Sequence, residues 1–147
     1  MSKKYILRVK ELKDFKNALN IIENKIKFTY EPLGEIFYQT SKLLSKNISQ
    51  IFIIAKEKMN YTNAEESWNI AVKQSKTNLN KDDLENINSF GKMLGKTEKE
   101  GQISSIELTK TFIEMQIEKA KIEEEKNSRM YKSLGTIVGL ALVIILV

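Results

Sequence analysis

Apolar residues return every three or four positions along most of this chain, and one proline and six glycines are all that interrupt the pattern across 147 residues. A half-buried strand needs a two-residue alternation, whereas this spacing lines apolar side chains along one stripe of a helix. With so few turn-forming residues, there is little from which to build the many tight reversals of a β-fold. The expected class is therefore all-α: an antiparallel bundle of about six helices, the last extending into a C-terminal hydrophobic membrane helix. The length suits a single domain with one modest core.

The first stripe runs from about Lys3 to Lys27 through Leu12, Phe15, Leu19, Ile22 and Ile26. The basic start, Lys3 to Arg8, lacks the apolar centre of a signal peptide. Thr29-Tyr30-Glu31-Pro32 breaks the stripe, and Pro32 suits the first turn of a second helix reaching about Ser45, with Leu33, Ile36, Phe37, Thr40, Leu43 and Leu44 inward. Asn47 is the expected cap of a third helix carrying Ile48, Ile51, Phe52 and Ala55 on one face, and Asn60 to Asn63 reads as a turn. A fourth helix, about Ala64 to Thr77, holds the only tryptophan, Trp68, expected as an aromatic plug with its indole N–H paired near the surface. Asn80 with Asp82 and Asp83 signals the start of a fifth helix to about Leu94, and Gly95 its stop. The sixth starts near Thr97 or Glu98, with Ile103, Ile106, Phe112, Ile113, Ile117 and Ala120 facing the bundle.

Composition removes much chemistry. There is no cysteine and no histidine, so disulfides, thiolate metal sites and the commonest general base are all absent. Paired acids at Asp82-Asp83 and Glu123 to Glu125 read as a helix cap and a solvated surface rather than a catalytic cleft. Gly91-Lys92-Met93-Leu94-Gly95-Lys96-Thr97 looks like a phosphate loop, but it has three residues between its glycines where that motif needs four, and it leaves a helix rather than a strand. No enzyme activity and no cofactor are expected. The net charge of +5 invites a nucleic-acid reading, yet only Arg8 and Arg129 of the 24 basic residues are arginine, and the lysines are interspersed with 19 acids along the chain. Bidentate reading of bases and phosphates prefers the arginine fork, so no nucleic-acid partner is expected.

The end of the chain is different. Leu134 to Val147 carries no charge, and ten of its fourteen residues are Leu, Ile or Val. As a helix it reaches about 21 Å, short of the roughly 30 Å hydrocarbon core. Lys126, Arg129, Tyr131 and Lys132 precede it, residue types that snorkel to or favour a membrane interface. The reading is three-part: a helical bundle over 1–121 on the cytoplasmic side, a charged helical stalk over 122–132, and an anchor over 133–147, with Gly135 and Gly139 spaced for helix packing in the membrane beside Lys132. The rival is a soluble or peripheral helical module whose apolar end is buried in its own core or in a homodimer.

Several of these features combine: the Leu19 to Tyr30 helix with Glu31-Pro32-Leu33, the lone Trp68, Phe90-Gly91 with Leu94-Gly95, Gln102, and Asn127 through Met130 to Lys132-Ser133-Leu134-Gly135 before the apolar end. Together they resemble the stage III sporulation protein AB family of endospore-forming bacteria, over essentially the whole chain. The resemblance implies a scaffold in the channel linking mother cell and forespore, in the mother-cell membrane around the forespore. Its helical domain would be similar to the cytoplasmic domain of the type II secretion and type IV pilus platform protein. Its implied partners are a secretion-ATPase-like protein and other channel-complex proteins, with a homo-oligomer as a further expectation. The family pattern normally places a hydrophobic helix before the segment matching Lys3 to Leu7, and here only Met1-Ser2 precede it. The expected partner contact is the turn between the fifth and sixth helices and its neighbours: Gly91, Leu94, Gly95, Lys96, Glu98 and Gln102.

Overall fold

A computed structural model describes residues 3–95 and 98–146, leaving the side chains of Ser128 and of residues 131–147 outside the description. Among the described residues there are six helices and no strand: α1 (Lys3–Phe28), α2 (Leu33–Ser41), α3 (Lys46–Lys58), α4 (Ala64–Gln74), α5 (Lys81–Gly91) and α6 (Lys99–Leu146). Helices adjacent in sequence pack against each other, and α6 returns to close on α1.

The core explains the closure. Helices α1 to α5 each contribute one aromatic ring, Phe15, Phe37, Phe52, Trp68 and Phe90, and all five are essentially inaccessible. Trp68 lies 5.3 Å from Phe52, 5.4 Å from Phe90, 5.6 Å from Phe37 and 6.1 Å from Phe15, centroid to centroid. These are tilted and edge-to-face pairings, which favour the ring quadrupoles and add to the burial of each ring's area. Helix α6 completes the core with Ile106, Ile113 and Ile117. The indole N–H of Trp68 was expected to be paired near the surface. The side chain is instead fully buried, with Nε1 donating to the Ile87 carbonyl of α5 at 2.7 Å, so its one polar atom is paired without water.

Two glycine-free corners fold by side-chain capping. Asn63 accepts from the Glu66 amide at the start of α4. Asn80 and Asp83 form a reciprocal capping box at α5, as the acid-rich start suggested. The α2–α3 corner departs from expectation. Helix α2 stops at Ser41 rather than near Ser45, and the cap of α3 is Ser45 rather than Asn47. Asp14 of α1 draws in Ser45, accepting from its amide at 2.8 Å and its hydroxyl at 2.5 Å, while Asn47 reaches back to Glu11 at 3.2 Å. The consequence is that Leu43, expected inside, is 70% exposed. Phe112 is half-buried and lines a groove instead of entering the core, and helices α4 and α5 stop three residues short of the expected ends at Thr77 and Leu94.

Three buried acids tie α1 to distant segments. Glu11 accepts from the Asn78 backbone amide at 2.8 and 2.9 Å and from its side chain at 3.1 Å. Arg8 forks onto Asp83 at 2.7 and 3.1 Å, the bidentate geometry that a lysine cannot supply. Glu23 receives Lys27 and Lys110 at 3.1 and 3.2 Å.

Polar contacts between α1 and α6 also fix direction. Lys16 meets Glu114 at 3.0 Å, Lys110 meets Asn20 at 3.0 Å, and Lys99 donates to the Lys27 carbonyl at 2.7 Å, so α1 and α6 run antiparallel. At the start of α1 the Tyr5 hydroxyl is raised above its ordinary pKa by burial and then by the charges of Glu124 and Glu125, which lie beside it. Helix α6 passes through residues 122–132 without a break. Among the described residues no helix is long and apolar enough to cross a membrane. The anchor expected over 133–147, with Lys132, Gly135 and Gly139, falls on residues whose side chains lie outside the description, and only its helical backbone is described, as far as Leu146.

Candidate functional site

The bundle has two unlike ends. At the end from which α6 continues lie the start of α1 and the corners around Ser45 and Asn78. At the other end, here called apical, meet three connections: residues 29–32, 59–63 and 92–98. Lys99 touching Lys27, Gly34 facing Lys56 and Met59, and Gly95 facing Ala64 bring the three together.

Each connection is shaped locally. The Thr29 hydroxyl and amide both donate to the Lys25 carbonyl, at 2.7 and 2.9 Å, which ends α1. Pro32 stands one position earlier than expected, as the residue preceding α2, with its carbonyl accepting from the Glu35 and Ile36 amides at 3.0 Å each. Lys25 pairs with Glu31 at 3.5 Å across this corner. The turn after α5 tightens into three-residue bonds, with the amides of Lys92, Met93 and Leu94 donating to the carbonyls of Ser89, Phe90 and Gly91. Those amides are therefore committed to the turn and do not form the open cradle that a phosphate loop needs.

The residues expected to contact a partner divide by position. Gly91 is buried, and a Cβ there would stand 2.2 Å from Trp68 Cδ1. Leu94 is 2% exposed and belongs to the core. Gly95 adopts φ +76°, the left-handed conformation that glycine takes without a steric penalty, and turns the chain beside Ala64. Glu98 is exposed and Gln102 half-buried, while Lys96 lies outside the described residues. Gln102 also lines a shallow groove with Lys99 of α6 and Ile26, Tyr30, Glu31 and Leu33 of the first corner. The turn and the Glu31-Pro32-Leu33 corner, some sixty residues apart in the chain, thus share one end of the bundle.

Sequence reading missed the aromatics of this end. Phe28, Tyr30 and Tyr61 are about 80% exposed or more. Their signal was present, because Tyr30 and Tyr61 sit inside segments read as turns, where no helix stripe carries them inward. A second concavity, between α5 and α6, runs down from the turn and is lined by Phe90, Met93, Leu108, Phe112 and Met115.

Electrostatically the neighbouring α1–α6 seam is a network. The Glu23 carboxyl is held below its ordinary range by its interaction with Glu107 and by the bonds from Lys27 and Lys110, against burial. Burial pulls Lys110 down, but its bonds to Glu107 and Glu23 outweigh that and raise it. Among the described residues no group of His, Cys, Asp or Glu is placed to hold a metal ion. The apical end presents exposed aromatic rings, those of Phe28, Tyr30 and Tyr61.

Comparison with known proteins agrees with this architecture. The model of the family described as stage III sporulation protein AB matches residues 1–147. The stage III sporulation protein AB of Bacillus subtilis (strain 168) is 28% identical over 150 residues, covering 99% of this chain and 88% of that protein. A solved structure of stage III sporulation protein AB superposes with a TM-score of 0.74 at 22% identity, over 82% of this chain and 98% of its own, which supports the fold.

Proposed function

The chain belongs to the stage III sporulation protein AB family, and from that premise we propose that it is a non-enzymatic, membrane-anchored scaffold of the channel between mother cell and forespore. The uncharged Leu134 to Val147 segment is its hold on the mother-cell membrane around the forespore, with neighbouring membrane helices supplementing its short reach. The bundle stands on the cytoplasmic side, and its apical end docks a secretion-ATPase-like partner. The observation that carries this reading is the gathering of the Gly91 to Glu98 turn, Gln102, Tyr30 and Tyr61 at the end farthest from the tail. Exposed tyrosines give large rigid contact area at small entropic cost, so they are suited to anchor such a contact.

The test is crosslinking and capture from sporulating cells, comparing the intact chain with Gly95→Val, with the double variant Tyr30→Ala/Tyr61→Ala, and with a chain ending at Ser133. The tyrosine variant leaves the core untouched, so it should fold normally and lose captured partner. The truncated chain should leave the membrane fraction. Undiminished capture and sporulation in both apical variants would sink the docking surface, and a truncated chain that still sediments with membranes would sink the anchor.

A further inference from the structure

Charge is distributed along the sequence without obvious clustering, but the fold sorts it. Residues 1–10 and 126–147 hold seven of the chain's 24 basic residues and none of its 19 acidic ones; in the remainder, acids outnumber bases. These two segments are more than a hundred residues apart, and the antiparallel packing of α1 on α6 brings the first turn of α1 level with residues 126–129 at the start of the second segment. Continuing the register that pairs Lys16 with Glu114 puts Lys3 beside about residue 127, two residues past Glu125, in keeping with the effect of Glu124 and Glu125 on Tyr5.

Beyond those three acids, towards the tail, Lys3, Lys4, Lys126 and Arg129 are exposed, and among the described residues none of the four is paired with a carboxylate. Arg8, by contrast, is held by Asp83. Ile6, one turn along α1 from Lys3 and level with Glu124, and Met130, next to Arg129, are 48% and 54% exposed. From the level of Lys3 to the first residue of the uncharged run is about 10 Å along α6, one Debye length at moderate salt.

We propose that Lys3, Lys4, Lys126 and Arg129, flanked by Ile6 on one side and Met130 on the other, form a collar that seats the base of the bundle on anionic phospholipid headgroups. The proposal rests on the reading of the tail as an anchor. The collar sets which lipids the protein prefers and holds the bundle upright, with the apical end presented away from the bilayer. Cations within a Debye length of an anionic surface each raise partitioning about five-fold, and the apolar pair settles into the interface.

The experiment floats the full chain on vesicles of phosphatidylcholine alone and on vesicles in which about a third is phosphatidylglycerol, at low and high salt. Because the chain has no cysteine, Ile6→Cys supplies a unique site for a polarity-sensitive fluorophore. Binding should favour the anionic vesicles at low salt, with a blue shift at position 6, and the preference should shrink at high salt. Lys3→Gln/Lys4→Gln/Lys126→Gln should reduce the anionic-to-neutral ratio by about 100-fold with unchanged helicity. Equal flotation on both lipids, or a preference that survives the triple substitution, overturns the collar while leaving the anchor intact. Flotation on neither overturns the anchor, and the collar with it.

Discussion

Adding one methyl group to Gly91 should be among the most damaging small changes in this protein. Built on the observed backbone, a Cβ would stand 2.2 Å from Trp68 Cδ1, 2.6 Å from Cγ and 2.8 Å from Cβ, closer than carbon atoms can approach. The ring cannot swing aside, because Phe15, Phe37, Phe52 and Phe90 surround it and Nε1 is tied to Ile87. Overpacking of this kind costs about 1–3 kcal/mol. Losing the indole bond inside the core adds about 1–3 kcal/mol, and the better helix propensity of alanine returns up to about 1 kcal/mol. Gly91→Ala should therefore destabilise by about 2–4 kcal/mol, or roughly 6–15 °C in melting temperature for a chain of this size. Circular dichroism of the full chain in mild detergent measures it, and Trp68, as the lone tryptophan, reports its own environment by emission. In a Trp68→Ala background the extra cost of Gly91→Ala should fall below about 1 kcal/mol, because the clash is the coupling. A Gly91→Ala protein melting within a degree or two of the parent, with unchanged emission, would refute the reasoning.

Asp83→Ala removes both the acceptor of the Arg8 fork and half of the α5 capping box, so urea denaturation should show a loss of about 3–5 kcal/mol, as for other broken buried pairs; a loss under about 1 kcal/mol would mean that water replaces the pair. Glu23 has its folded pKa lowered from 4.5 by Glu107, Lys27 and Lys110, so its stabilisation is present above that value and disappears as pH falls through the folded pKa. Melting curves of the parent and Glu23→Gln should therefore differ at neutral pH and converge as pH falls through the lowered folded pKa; a gap that persists in stronger acid would show that the carboxylate charge is not the source.

Much of the fold was legible in local patterns. The five core stripe positions of α1, from Leu12 to Ile26, are all buried, and the cap Asn80 acts where its residue type suggested. The misreadings occur where a partner distant in sequence decides. Leu43 continues the α2 stripe, but Asp14, some thirty residues earlier, captures Ser45 and ends the helix sooner. Trp68 could not be placed at the centre from its own helix, since four rings from four other helices define that position. Of the candidate site, the turn around Gly95 was readable from its glycine, whereas its companions Tyr30 and Tyr61 needed the three connections to meet.

What the sequence determined alone was the class, the number of helices and the direction of most of their apolar stripes, because these depend on bonds and side-chain spacings within about four residues. Tertiary structure decided how those faces were matched. Packing of rings and isoleucines set the antiparallel register of α1 on α6, and that register joins two cationic segments from opposite ends of the chain. It also separates them from the apical turn by the length of the bundle. Helical periodicity says which way a residue faces; only interdigitated packing between helices says what it faces.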